Sequence, residues 1–332
     1  MTTSERHIVR ALDFLTKGGV ESQAPDEVKA AVLMRDVLGS ENVIGVGVAE
    51  KTTKDKSTGN LALCFYVKRK VSLKHLKASE AVPPAVPAPL TRGSVIGTDV
   101  VVLGKMRLDS VSKPIHKPIH PGDSIGHVTA TYGTLGAVVS RSGKLYLLSN
   151  SHVLARSGKA KVKDVILSPG KTDGGKNPRD LVARLAAFKK FVKGGTFVNS
   201  ADCAIAVPVA SRLADINPAI PGIGIPKGIK TPQRGMKIVK VGRASGKTFG
   251  VIKDVHFRFV FKYDGIGEVG FFDQVLCTRY SIPGDSGSLV LDRKTKRAVG
   301  LHFASAPNGS VFSPIDAVMK ALRVELVTKS SR

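Results

Sequence analysis

Tryptophan is absent from the 332 residues, cysteine occurs three times, and the aromatic complement is 13 Phe and 5 Tyr. Cys64, Cys203 and Cys277 are odd in number and widely spaced, which is unlike the paired framework of a secreted, disulfide-dependent protein. They are expected to be buried free thiols. Acidic residues are scarce as well: 26 Asp and Glu face 51 Lys and Arg, for a formal charge of +25. Such a field draws polyanions, anionic lipid surfaces or acidic protein segments without choosing among them. The lysines are dispersed (Lys68, Lys70, Lys159, Lys161, Lys163, Lys189, Lys190, Lys193) and lack the interleaved aromatics that stack bases. A generic solvated basic surface is therefore preferred to a dedicated nucleic-acid site, although nucleic acid stays open as a partner. No apolar run is long enough to span a bilayer. The segment 1–19 mixes Glu5, Arg6, Arg10, Asp13 and Lys17 with isolated apolar residues and has no continuous apolar core of signal-peptide length. A cytoplasmic protein is expected.

What the chain does have is 34 Gly, 18 Pro and 42% hydrophobic residues, the composition of a turn-rich globular protein. Its length fits one unit of about 200 residues plus an extension. Residues 6–38 carry apolar positions at helical spacing (Ile8, Leu12, Leu15; Val28, Val32, Leu33, Val37), broken near Gly18-Gly19 and stopped at Gly39, which predicts two helices. Residues 43–49 and 61–67 predict a hairpin. A Pro/Ala-rich stretch follows at 81–89 and a connecting strand at 97–103. From about Ser124 the pattern becomes short strands every 8 to 12 residues or so, in two groups of about six, which predicts two packed β-barrels. Ile315, Val318, Met319 and Leu322 then predict a C-terminal helix on the second barrel. The expected organisation is an α+β accessory region at 1–80, a linker and connecting strand at 81–123, a first barrel at 124–210, and a second barrel with its helix at 211–325.

A serine hydroxyl is a weak nucleophile until a histidine takes its proton, and the histidine in turn needs a buried carboxylate to fix its tautomer. Three segments suit those roles. His152 follows the apolar strand Leu147-Leu148-Ser149 and opens the small-residue turn Val153-Leu154-Ala155. Asp202 heads the apolar run Cys203-Ala204-Ile205-Ala206-Val207. Ser286 lies in Gly284-Asp285-Ser286-Gly287-Ser288. The Gly-Asp-Ser-Gly run alone is weak, because Pro121-Gly122-Asp123-Ser124 nearly repeats it.

Taken together and in this order, the three blocks resemble the trypsin-like, chymotrypsin-fold serine peptidases over roughly residues 124–325. The unpaired cysteines, the extension and Gly133-Thr134-Leu135-Gly136 narrow the resemblance to the disulfide-free intracellular type of bacteria and plants. The resemblance implies a mainly β fold of two six-stranded antiparallel barrels, a serine endopeptidase activity, and a His152-Asp202-Ser286 triad. The backbone amides of Gly284 and Ser286 would form the oxyanion hole, which suits a glycine at 284 because the loop must come close to the reacting carbonyl. Asp285 would hold the loop. In secreted trypsins that aspartate pairs with an N-terminus freed by zymogen cleavage, and no such activation segment is evident before the barrel.

The resemblance extends to the substrate pocket. Tyr280 stands where enzymes that cut after Arg or Lys carry an aspartate. Val299-Gly300-Leu301-His302-Phe303-Ala304-Ser305 resembles the strand with which glutamyl endopeptidases and picornavirus-type proteases hold a Glu or Gln side chain. Ser281 aligns with the hydroxyl that assists that histidine, and Ser305 offers a further donor. A Glu, Gln or Asp preference at P1 is expected, with protein or acidic peptide as substrate. The bland reading of His302 as a satisfied core histidine stands beside it. A catalytically silent module that binds nucleic acid or an acidic partner through its basic surface is the alternative.

No cofactor or metal is expected. The prolines of Lys113-Pro114-Ile115-His116-Lys117-Pro118-Ile119-His120 rule out a helix that would align His116 with His120, Asp173-Gly174-Gly175 has too few carboxylates nearby for calcium, and Gly242-Arg243-Ala244-Ser245-Gly246-Lys247-Thr248 fails as a phosphate loop because position 241 is Val. That last segment reads instead as the entry hairpin of the second barrel.

Overall fold

The structure is a computed structural model that describes residues 3–17, 25–53, 56–87, 95–106, 118–129 and 132–328. The break near Gly18-Gly19, the end of the Pro/Ala stretch and His116 lie outside the described residues. Helices α1 (Thr3–Lys17) and α2 (Pro25–Gly39) precede the hairpin β1 (Val43–Thr53) and β2 (Lys56–Val67), then β3 (Ala85–Pro87) and β4 (Val95–Val102). Strands β5 (Ser124–His127), β6 (Gly133–Thr134), β7 (Ala137–Arg141) and β8 (Lys144–Ser149) lead to the short helix α3 (Ser151–Leu154). The run β9 (Val165–Leu167), β10 (Leu181–Phe188), β11 (Phe197–Asn199) and β12 (Ala204–Pro208) follows. The last set is β13 (Lys237–Gly242), β14 (Gly246–Tyr263), β15 (Gly267–Cys277), β16 (Leu289–Asp292), β17 (Ala298–Ala306) and β18 (Gly309–Pro314), followed by α4 (Ile315–Leu322) and β19 (Glu325–Leu326).

The pairings produce two curled sheets, the mainly β chymotrypsin-like architecture with a C-terminal helix. In the second half β13–β14–β15–β18–β17–β16 closes back onto β13, a six-stranded antiparallel ring. In the first half β7–β8–β12–β10–β9–β5 forms a curled six-strand sheet with the two-residue strands β19 and β6 at its edges. Strands β16 and β17 are buried throughout, so their sequences run apolar rather than alternate. Between the halves, Leu148 and Ile205 of the first sheet pack with Val239, Leu289 and Leu301 of the second. Helix α4 buries Ile315, Val318, Met319 and Leu322 in the same core, which is the stripe its 3.6-residue period provides.

The extension is tied to the second barrel more closely than a linker-joined module would be. Strand β14 runs beyond the barrel, and its far half pairs with β1 at Gly45↔Phe259 and Val46↔Arg258. The fully buried Arg258 reaches from there to Asp13 and Thr16 of α1. Gly47 is required at this seam, because a Cβ there would lie 1.9 Å from an Asp254 carboxylate oxygen. That carboxylate is fully buried, accepting from the Tyr66 hydroxyl at 3.1 Å and the His256 amide at 2.8 Å.

Burial pushes the Asp254 carboxyl up to about 6, against the opposing pull of the His256 amide and ring, the Tyr66 hydroxyl and the Val48 amide. A carboxyl whose folded value exceeds its unfolded one binds its proton more tightly when folded. The charged form therefore costs stability above about pH 6, and the cost fades as the pH falls to 4. Across pH 8 to 4 the stability advantage of Asp254→Asn over wild type should shrink by about 3 kcal/mol, since each pKa unit is worth ~1.4 kcal/mol. Urea unfolding of both proteins over that range checks it, and a pH-independent difference would contradict it.

Candidate active site

The Asp202 carboxylate is held by four hydrogen bonds. Strand β8 ends at Ser149, and α3 turns its first amides toward the carboxylate: Ser151 N donates to Oδ1 at 2.6 Å and His152 N at 3.2 Å. Asn150 anchors the same segment by donating from Nδ2 to the Asp202 carbonyl at 2.7 Å. The other carboxylate oxygen, Oδ2, faces His152 Nδ1 at 2.7 Å and accepts from the Tyr263 hydroxyl at 2.9 Å. Asp202 is fully buried, and a buried carboxylate persists only when its oxygens are satisfied in this way. The contact fixes the imidazole tautomer: with Nδ1–H donating to Asp202, Nε2 presents its lone pair. Among the described residues that buried Nε2 has no hydrogen-bond partner.

Ser286 stands on the second half but is locked against the first. Its carbonyl accepts from Thr134 N at 2.7 Å, and a Cβ on Gly133 would meet both Ser286 O and the side chain of Val153, the neighbour of His152. Its hydroxyl donates to the Phe303 carbonyl at 3.2 Å. The structure thus brings His152 and Asp202 into direct contact and sets Ser286 beside their segment, with its hydroxyl turned to Phe303. Gly284 has φ of 104°, a conformation open to glycine, and among the described residues neither the Gly284 nor the Ser286 amide donates to another protein group.

What holds this loop is a cation that the sequence reading did not single out. Asp285 forms an ion pair with Lys240 at 2.6 Å, both side chains fully buried. Its carboxylate also accepts from the amides of Ala244 at 3.2 Å, Ser245 at 3.1 Å and Ile282 at 3.1 Å. The glycine-flanked turn that looked like a phosphate loop is thus a cradle for a carboxylate of the chain itself. Burial raises the Asp285 carboxyl, but the Lys240 charge and these hydrogen bonds outweigh it and hold the group below its ordinary value. One signal was present in the sequence: Lys240 interrupts the apolar run Ile238-Val239-Lys240-Val241, and a lysine inside a buried strand needs a partner.

The residues expected in the substrate pocket are arranged differently from the expectation. Tyr280 is buried, with its hydroxyl 3.1 Å from His302 Nδ1 and its ring edge-on to the imidazole at 5.3 Å. Ser281, expected to assist His302, instead has its hydroxyl 2.7 Å from that of Ser310. His302 and Ser305 lie buried along β17. Phe303 turns its ring into the aromatic core beside Phe259 and Phe271, because alternate residues of a strand face opposite sides. What Phe303 offers the site is its backbone carbonyl. Asp173 is committed to Arg243, whose Nη2 donates to it at 2.8 Å, and the three cysteines are buried free thiols.

No protein-family model matches the chain, and no curated protein matches it. Among solved structures it is similar to a glutamic acid-specific serine protease described as using a histidine triad in substrate binding, with 18% identity over 63% of this chain and 100% of that one and a TM-score of 0.45. It is similar also to protease A of Thermobifida fusca, with 15% identity over 64% and 99% and a TM-score of 0.44. For the alpha-lytic protease homolog N4 the figures are 14% identity, 63% and 99%, and 0.45.

Replacing Lys240 by Met should strand the buried Asp285 charge and cost about 3–5 kcal/mol. The double variant Lys240→Met, Asp285→Asn should recover a large part of that loss, because no unpaired charge remains. Urea unfolding of the three proteins checks both; a single variant within about 1 kcal/mol of wild type would contradict the role of the pair.

Proposed function

We propose that the chain is a serine endopeptidase, with residues 124–325 as its peptidase unit and Ser286, His152 and Asp202 as nucleophile, base and orienter. The observation that carries this reading is the division of labour on the His152 ring. One nitrogen is committed to a fully satisfied carboxylate, and the other is buried without a partner next to the segment that bears Ser286. Such an imidazole is oriented and basic, as proton abstraction requires.

The serine hydroxyl leaves the Phe303 carbonyl, gives its proton to His152 Nε2, and its oxygen attacks the scissile carbonyl. The Gly284 and Ser286 amides, which have no other acceptor among the described residues, receive the oxyanion. Collapse of the tetrahedral adduct passes the proton from His152 to the leaving amine, and water repeats the sequence to release the acyl group. Asp202 stabilises the imidazolium.

A preference for Glu, Gln or Asp at P1 belongs to the same proposal. If the Tyr280 hydroxyl donates to His302 Nδ1, the His302 proton sits on Nε2, where it is a donor suited to a carboxylate or carboxamide oxygen. The pocket strand contributes Ser305, and the net charge of +25 favours acidic substrates at long range. A buried site that offers donors to the P1 side chain favours side chains that can accept a hydrogen bond.

A fluorophosphonate probe should label Ser286 in wild type, and neither Ser286→Ala nor His152→Ala should be labelled; peptide hydrolysis should fall on the order of 10⁶-fold in kcat for Ser286→Ala. Labelling that survives in Ser286→Ala would contradict the assignment. Profiling a peptide library should return acidic or amide P1 residues, and His302→Ala should lose that preference while still reacting with the probe. An unchanged P1 profile in His302→Ala would remove the pocket part of the proposal and leave the nucleophile intact.

A further inference from the structure

The carboxylate of Asp202 has one partner that does not come from its own half of the molecule. Three of its contacts are made by Ser151 and His152, which follow β8 in the first sheet. The remaining one is the hydroxyl of Tyr263, the last residue of β14 in the second sheet. Tyr263 is 3% exposed and packed among rings: Phe191 at 4.9 Å, Phe261 at 4.9 Å and Phe271 at 6.3 Å between centroids. Phe271 also packs against Phe303, with tilted rings 5.3 Å apart, and the Phe303 carbonyl accepts from the Ser286 hydroxyl.

The strand that ends in Tyr263 is held from several directions. Strand β15 pairs with it as far as Tyr263↔Gly267, and β1 pairs with it at Phe259 and Arg258. Arg258 is tied to α1 through Asp13, and Lys159 of the first half donates to the Asp264 carbonyl at 2.9 Å. A hydroxyl so placed has little freedom to follow the carboxylate. Instead, it fixes where the carboxylate sits.

We propose that Tyr263 is a positioning residue for the acyl transfer set out above, its hydroxyl locking the Asp202 carboxylate in the orientation that directs His152. The inference rests on that reading of the site. The hydroxyl donates to Oδ2, the oxygen that receives His152 Nδ1–H, so it does two things. It fixes the plane of the carboxylate, and it draws off part of the negative charge that would otherwise stabilise the imidazolium. Burial and the Asp202 charge both push the Tyr263 hydroxyl well above its ordinary value, which keeps it a donor at every pH where the site would work. The other titratable groups facing this pair are Cys203, kept neutral by burial and by the Asp202 charge, and Lys189, whose charge acts on Cys203 from beyond β10.

Tyr263→Phe removes one oxygen and keeps the ring in its aromatic cluster. It should lower kcat about tenfold to a hundredfold, the loss expected for one hydrogen bond to a charged group. KM should hold, since the buried hydroxyl does not touch substrate. Without the hydroxyl, Asp202 attracts the imidazolium more strongly, so the His152 pKa rises and the acid limb of the kcat/KM profile moves to higher pH. A residue that merely filled space would leave that limb in place.

The decisive readout needs no turnover: titration of the His152 ring by NMR in wild type, in Tyr263→Phe, and in protein carrying 2,3-difluorotyrosine at 263, a stronger donor of similar size. The expected order of His152 pKa values is difluorotyrosine below tyrosine below phenylalanine. Equal values in all three would overturn the inference even if the protease reading stands. Should wild type fail to react with a fluorophosphonate, the protease reading falls separately and the titration still decides what Tyr263 does to the pair. If Tyr263→Phe does not fold, the difluorotyrosine protein carries the comparison alone, and a His152 pKa unchanged or raised there overturns the proposal.

Discussion

A carboxylate sealed away from water at the junction of two sheets is the constraint around which this molecule is arranged. Asp202 is fully buried, and its desolvation is tolerable only because both oxygens are occupied. Meeting that requirement takes the turn after β8, the imidazole of His152 and a tyrosine sent across from the other sheet. The same contacts that make the charge bearable orient the histidine. Stability and the proposed chemistry therefore draw on one set of hydrogen bonds.

A second buried carboxylate repeats the logic at the nucleophile loop. Asp285 is satisfied by Lys240 and three backbone amides, all supplied from within the chain. Lys240 thus occupies the Asp285 carboxylate of the loop that carries Ser286. At the third buried carboxylate, Asp254, the strand that leads on to Tyr263 is joined to the N-terminal hairpin. The extension, the barrel and the triad candidate are linked along β14.

Much of the fold was legible because period and spacing speak about single elements. The apolar stripe of α4, the 43–49 and 61–67 hairpin and the two groups of strands follow from alternation and turn residues, and the structure has them. His152, Asp202 and Ser286 could be proposed from sequence because each sits in a short block with its own local character. Long-range partners leave no such trace. Tyr263 lies 61 positions from Asp202, nothing in its neighbourhood marks it, and only the register of a hairpin brings its hydroxyl home. Lys240 left a faint mark, as a charge in an apolar strand. Around His302, the hydroxyl within reach of Nδ1 is that of Tyr280, while the hydroxyl of Ser281 lies against that of Ser310.

Acylation of Ser286 with His152 as its base can be followed by rapid mixing of the protein with a nitrophenyl ester of an N-blocked glutamate. The expected result is a burst of nitrophenol stoichiometric with protein, an acyl group recovered on the Ser286 peptide by mass spectrometry, and no burst in His152→Ala. Turnover without an acyl group on Ser286, or a burst that persists in His152→Ala, would contradict it.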